Sequence, residues 1–201
     1  MPYFLHLWVN GTCTFDKIDA FLRGIWLECC GHMSAFRMAK NASNDAGMFD
    51  TIDAFEHLNA GDTHKYNDLM TAANGQIPIE DKLMEHAQKG LKIEYEYDFG
   101  SSTELDITVV NEYPIVAPQK LFLMTRNEPI NFPCVSCGKN NAIEICTSCS
   151  CDGAAEYCAK CAKIHTKECV DFDEYSMPLV NSPRAGVCGY TGGEIDKKRD
   201  K

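Results

Sequence analysis

Positive charge is scarce in this chain. Nineteen Lys and Arg stand against 29 Asp and Glu, a formal charge of −10. The deficit lies ahead of residue 134, where 10 basic residues face 19 acidic ones and only Arg23, Arg37 and Arg126 are arginines. Phosphate backbones are bound by clustered Lys and Arg. The chain offers none outside Lys197-Lys198-Arg199, so nucleic acid is not the expected partner. Long apolar runs are missing too. No window approaches the roughly 18 to 20 residues that span a bilayer, and Met1-Pro2-Tyr3-Phe4-Leu5-His6-Leu7-Trp8 has neither the basic n-region nor the apolar h-region of a signal peptide. The expectation is a cytoplasmic protein with no membrane partner. No internal repeat or low-complexity run offers a shortcut to the fold.

Cysteine, by contrast, is abundant, with 12 in 201 residues. Seven of them and one histidine form four pairs: Cys134-x2-Cys137, Cys146-x2-Cys149, Cys158-x2-Cys161 and His165-x3-Cys169. Two intervening residues let both thiolates turn onto one ion at about 2.3 Å, and closed sets of four Cys or three Cys plus His are structural zinc sites. Disulfides need an oxidising compartment. In a cytoplasmic chain such repeats are read as metal ligands first. Two zinc ions are therefore expected, and zinc is preferred over iron because thiolate-rich tetrahedral sets suit it and no cluster-specific spacing is present. Seven thiolates offset by two divalent ions take the net charge to about −13. Catalytic zinc keeps an open position for water, whereas these sets are saturated. Each structural ion contributes about 10 to 16 kcal/mol of apparent binding energy to folding a segment otherwise too short and polar to fold. Cys151, two residues beyond Cys149, reads as a bystander.

Ahead of the cysteines, the patterns predict an α+β domain, an antiparallel sheet packed by helices, followed by a small C-terminal two-zinc module. Tyr3 to Val9 suits a strand. With Thr14 as N-cap, Phe15, Ile18, Phe21/Leu22, Ile25/Trp26 and Cys29 recur at helical intervals and predict one apolar stripe, which Gly31 would end. A short strand is expected at Met33 to Met38, then a loop over 39–63 with one helical turn near Thr51 to Leu58, and short helices at Lys65 to Ala73 and Glu80 to Gln88. Leu91, Ile93, Tyr95 and Tyr97 alternate with Lys92, Glu94, Glu96 and Asp98, predicting a strand with one buried and one wet, mostly acidic face. Phe99-Gly100-Ser101-Ser102 turns the chain into a return strand through Leu105, Ile107 and Val109. Lys120 to Thr125 offers a further strand.

The run Tyr95-Glu96-Tyr97-Asp98-Phe99-Gly100 resembles the signature of the Ri-plasmid ORF-three-like family, also labelled transposon-passenger TnpR-like. Trp26 and His32-Met33-Ser34-Ala35-Phe36 are similar to the segment that precedes that signature. The resemblance covers residues 1–126 and implies an α+β domain without an established activity. Where the family continues with Asp, Trp and His, this chain carries Ser101, Thr103 and Leu105. Serine recombination would require arginines around an activated Ser, and three arginines in 133 residues do not supply them.

The cysteine order, with Tyr157 before Cys158, resembles the cross-braced MYND and HIT-type fingers, whose usual role is docking proteins. That resemblance implies that Cys134, Cys137, Cys158 and Cys161 share one ion while Cys146, Cys149, His165 and Cys169 hold the other. The rival is serial, pairing Cys134, Cys137, Cys146 and Cys149 and leaving Cys158, Cys161, His165 and Cys169 as a second knuckle. The implied organisation is a domain over 1–126, a linker over 127–133, a finger over 134–170, a return segment over 171–193 that packs on the domains, and a disordered tail over 194–201.

Three further groups are candidates for function. Cys29, Cys30 and His32 place thiols near a base, but Cys29 falls on the apolar stripe, where core packing is expected. Glu94, Glu96 and Asp98 are expected to be a solvated strand face. Cys188 sits in a Pro- and Gly-bearing stretch that is expected to fold back and to bring Arg184 near the acidic sheet. The leading functional reading is a zinc-binding, non-enzymatic adaptor with a protein partner and no catalytic residues. The alternatives are an enzyme with its site in the first domain, using His32, Cys30 or the Asp98 turn, and a nucleic-acid accessory protein.

Overall fold

The computed structural model describes residues 3–39, 55–73, 75–150 and 155–195. Most of the loop expected over 39–63, Cys151 and residues 196–201 of the tail lie outside them. The chain is an α+β protein, and it groups into two compact units that are not continuous in sequence. One comprises Met1–Trp8, Ala20–His32 and Leu123–Lys201; the other comprises Val9–Asp19 and Met33–Phe122. Among the described residues no helix is long and apolar enough to cross a membrane.

The second unit is built on a four-stranded antiparallel sheet of order β3-β2-β4-β5, from β2 (Ser34–Met38), β3 (Gln76–Ile77), β4 (Lys92–Tyr97) and β5 (Thr103–Thr108). Strand alternation makes its core. Ile93, Tyr95 and Tyr97 are buried, and Phe36 lies opposite Tyr95 in the register. Its ring contacts Tyr95 at 4.7 Å and Phe15 at 5.0 Å between centroids. Phe15 opens helix α1 (Phe15–Leu22). The buried carboxylate of Asp19, one turn on, accepts hydrogen bonds from the Tyr95 hydroxyl at 2.7 Å and the Ser34 hydroxyl at 2.6 Å.

Two expectations are corrected in this unit. The second short helix is only Leu83–His86 (α4); α2 is described over 55–59 and α3 is Thr63–Ala73. Residues before α4 are used otherwise: the carbonyls of Ile79 and Asp81 accept the first backbone N–H groups of α1, from Asp16 and Phe15. A helix start leaves such donors without partners, so this turn, closed by the Asp81 N–H on the Pro78 carbonyl at 3.2 Å, caps α1 and does not join α4. Thr14 meanwhile donates its hydroxyl to the Asp16 carboxylate. Nor is the acidic face uniformly wet. Glu96 is half-buried and bonded to Arg37 at 2.6 Å and to Ser102 at 2.6 Å. Asp98 is buried at a left-handed φ of 64°. Its carboxylate accepts the N–H groups of Gly100 and Ser101, which is the self-bonding that lets Asp turn a chain.

In the first unit, α1 does not run on to Cys29. It tightens into a π turn over Arg23–Leu27, and Glu28 is already extended. The extra residue in a π turn lets the consecutive side chains of Ile25, Trp26 and Leu27 all be buried, each worth about 1.5 to 3 kcal/mol. The stripe therefore ends at Leu27, and Cys29 emerges from the core. A two-stranded sheet pairs β1 (Leu5–Val9) with β6 (Leu121–Arg126). Downstream, β7 (Glu144–Cys146), β8 (Glu156–Tyr157) and β9 (Ser176–Pro178) form a small antiparallel sheet of order β8-β7-β9, flanked by α5 (Ala159–His165) and α6 (Phe172–Tyr175).

Candidate metal centres

Cys134 and Cys137 occupy a tight turn in which Gly138 donates its N–H to the Cys134 carbonyl at 2.8 Å and adopts φ 61°. Cys158 follows β8 as the N-cap of α5, and Cys161 lies in the first turn of that helix. All four sulfurs lie within 4.8 Å of one another, with Cys137 and Cys158 4.0 Å apart. Burial opposes ionisation of Cys134, but hydrogen bonds from the backbone N–H groups of Cys158, Cys137 and Ser136 outweigh it and hold the thiol down at about 6. Cys158 is also lowered, first by the Cys161 backbone N–H, and Asn140 donates to its sulfur at 3.8 Å. Cys161 goes the other way: the Ser136 hydroxyl favours its thiolate, but burial and the Cys158, Cys134 and Cys137 thiols push it up to about 12. Cys134 and Cys158 thus favour thiolate, the form that binds metal, and Cys161 needs a cation to do so.

The second group is Cys146, Cys149, His165 and Cys169, whose donor atoms also lie within 4.8 Å of one another. Cys146 closes β7, Cys149 sits in the following turn, and α5 delivers His165. Cys169 is brought back by a turn in which its N–H meets the His165 carbonyl at 2.8 Å. Sulfur separations are 4.0 Å for Cys146 to Cys169 and 3.8 Å for Cys149 to Cys169, and His165 Nε2 lies 3.5 Å from Cys149 Sγ. A tetrahedral zinc ion has edges of about 3.8 Å between sulfurs and about 3.5 Å between sulfur and nitrogen. Hydrogen bonding to Cys146 first, then burial and Cys169, pushes the Cys149 thiol up to about 12. Three thiols so close cannot all ionise cheaply unless a cation offsets them. Tyr157 packs against both groups.

The donors of the finger therefore meet in alternating pairs, first with third and second with fourth, and not serially. What the sequence did not lead us to expect is a third group: Cys29, Cys30, His32 and Cys188, again with donor atoms within 4.8 Å of one another. The spacing Cys29-Cys30-x-His32 was a legible signal. The fourth donor, 156 residues beyond His32, was not. Cys29 is accordingly not a core residue but half-buried beside an exposed Cys30. Arg184 is fully buried, its guanidinium 3.5 Å from Cys29 Sγ.

The described residues thus form an α+β fold carrying clustered Cys and His donors that could hold metal ions. Compared with family models, with curated proteins and with solved structures, the chain matches none.

Proposed function

We propose that this chain is a zinc-binding, non-enzymatic adaptor that docks a protein partner through its C-terminal finger. The observation that carries the reading is the saturation of both finger sites: each collects four Cys or Cys/His donors, leaving no position for substrate or activated water. The alternating pairing is that of the cross-braced MYND and HIT-type fingers, which supports the resemblance at residues 134–170. A shallow groove on the finger, lined by Val135, Tyr157, Ile164 and Glu168 together with the donor residues Cys161 and His165, offers apolar contact from Val135 and Ile164, both exposed. Thiolate sites of this kind favour a reducing compartment, hence a cytoplasmic location. Residues 1–126 are read as the Ri-plasmid ORF-three-like domain.

The test is native mass spectrometry of the full chain purified gently from its host. Zinc and a bound protein are expected, with the protein lost and the zinc retained in a Val135→Asp, Ile164→Asp double variant. Metal-free protein, or a partner unaffected by the variant, refutes docking through this finger.

A second reading has one observation behind it. Cys30 Sγ and His32 Nε2 are 2.9 Å apart, a nucleophile-to-base distance. Turnover of a thiol-reactive ester that ceased on Cys30→Ser would favour it.

A further inference from the structure

Cys29, Cys30, His32 and Cys188 all belong to one compact unit, yet they come from chain segments more than 150 residues apart. Their donor atoms stand at 3.4 Å for Cys29 to Cys30, 2.9 Å for Cys30 to His32, 3.5 Å for Cys30 to Cys188 and 3.3 Å for His32 to Cys188. None of the sulfur pairs is a disulfide, whose atoms are about 2.05 Å apart. Three of these separations fall about 0.2 to 0.4 Å inside the edges of a zinc tetrahedron, about 3.8 Å between sulfurs and 3.5 Å between sulfur and nitrogen; the Cys30 to His32 distance of 2.9 Å is a hydrogen bond that an ion would have to open by about 0.6 Å.

The surroundings are built to hold this arrangement. Glu28 accepts the Gly31 N–H at 2.6 Å, curling the Cys29–His32 loop so that three donors point one way. On the other side, Ser182 donates its hydroxyl to the Trp26 carbonyl at 2.7 Å and accepts the Arg184 N–H at 2.9 Å. A side chain on Gly193 would overlap the carbonyls of Gly24 and Ile25, so the return segment lies directly on the π turn that precedes Cys29. Cys188 itself has φ 48°. A non-glycine residue in that region is strained and persists where a constraint or function holds it. Three thiolates and a divalent ion would carry one net negative charge, and the buried Arg184 guanidinium beside Cys29 Sγ supplies its counter-charge and an N–H to the sulfur, the kind of outer contact that tunes metal sites.

We propose that Cys29, Cys30, His32 and Cys188 form a third zinc site, a clasp in which three thiolates and His32 Nε2 bind one ion and tie the end of the π turn to the C-terminal return segment. Four protein donors close the coordination sphere, so the role is structural. Cys30 and Cys188 are exposed, whereas the finger's ligands are buried or half-buried; the clasp ion is therefore the first to leave when a chelator competes. The proposal is independent of whether the finger docks a partner.

The experiment is native mass spectrometry of the full chain prepared with zinc under reducing conditions, beside Cys188→Ser, Cys30→Ser and Cys134→Ser. Three zinc ions are expected in the wild type and two in each clasp variant, with hydrogen-exchange protection of residues 142–178 unchanged in both clasp variants. Maleimide labelling of Cys30 and Cys188 should be at least tenfold slower with zinc than after brief chelation. Two ions in the wild type and an unchanged two in Cys188→Ser overturn the clasp, as does a Cys30–Cys188 disulfide seen as a loss of two hydrogen masses under the same conditions. Loss of an ion in Cys188→Ser but not in Cys134→Ser would reject the finger and leave the clasp standing.

Discussion

His165 lies face to face with Tyr157, ring centroids 4.2 Å apart and planes at 17°, while its edge meets Phe172 at 5.2 Å. The imidazole is held from two sides, and Nε2 is thereby aimed at Cys149 Sγ.

Orientation of a ligating histidine by its neighbours is worth about tenfold to a hundredfold in metal affinity. Tyr157→Ala should therefore weaken zinc at the Cys146, Cys149, His165, Cys169 group by about tenfold or more, whereas Tyr157→Phe, which keeps the ring, should change it by less than about threefold. Competition against a chromophoric chelator reads both.

Removing zinc should unfold the finger selectively. With about 10 to 16 kcal/mol of apparent folding energy withdrawn per ion, and only Ala155, Ala162 and Phe172 as buried apolar residues beside the cysteines in one cluster, residues 142–178 should lose hydrogen-exchange protection on chelation. Residues 92–108, whose sheet buries Ile93, Tyr95 and Tyr97, should keep theirs. Equal loss in both regions would contradict the assignment.

Tyr95→Phe should cost about 1 to 2 kcal/mol, because it withdraws a hydrogen-bond donor from a buried carboxylate, Asp19, without changing the shape of the ring. Urea unfolding measures the change, and a shift below about 0.3 kcal/mol would mean that Asp19 is compensated by its other contacts.

The Glu96 carboxyl is held below the ordinary carboxylate value first by the Ser102 hydroxyl and then by Arg37. A lowered folded-state value makes its stabilisation fully present above the unfolded carboxylate value, about 4.3, and lost as pH falls through the lower folded value. Both partners keep some exposure, 34% for Arg37 and 20% for Glu96, so the contribution is about 0.5 to 1 kcal/mol. Wild type and Glu96→Gln should differ in urea midpoint above about pH 5, and the difference should shrink as the pH falls below the unfolded value of about 4.3.

Much of this protein was legible in its sequence, and where legibility failed the cause is specific. Alternation from Leu91 to Tyr97 identified β4 and its hairpin because side chains on a strand repeat every two residues and only one face is buried. The finger's donors were legible because Cys-x2-Cys is a local geometry: two thiolates on one turn reach one ion without help from the rest of the chain. The end of α1 was not legible. Its apolar spacing fits an unbroken helix as far as Cys29, and only packing selects a π turn that buries three consecutive residues and releases Cys29 from the core. The same holds for Ile79 and Asp81, whose carbonyls were drawn off to cap α1.

What the sequence by itself determined is the chemistry available: an acidic α+β chain, short of cations, with Cys and His donors in ligand pairs. Tertiary structure decided which pairs meet. Alternating and serial groupings of the finger use the same local turns and differ only in how β7, β8 and α5 pack, and the clasp needs Cys188 to return across more than 150 residues to Cys30. Contacts of that kind are fixed by the burial of Trp26, Arg184 and Tyr190 around the return segment, a long-range consequence of packing that no local spacing encodes.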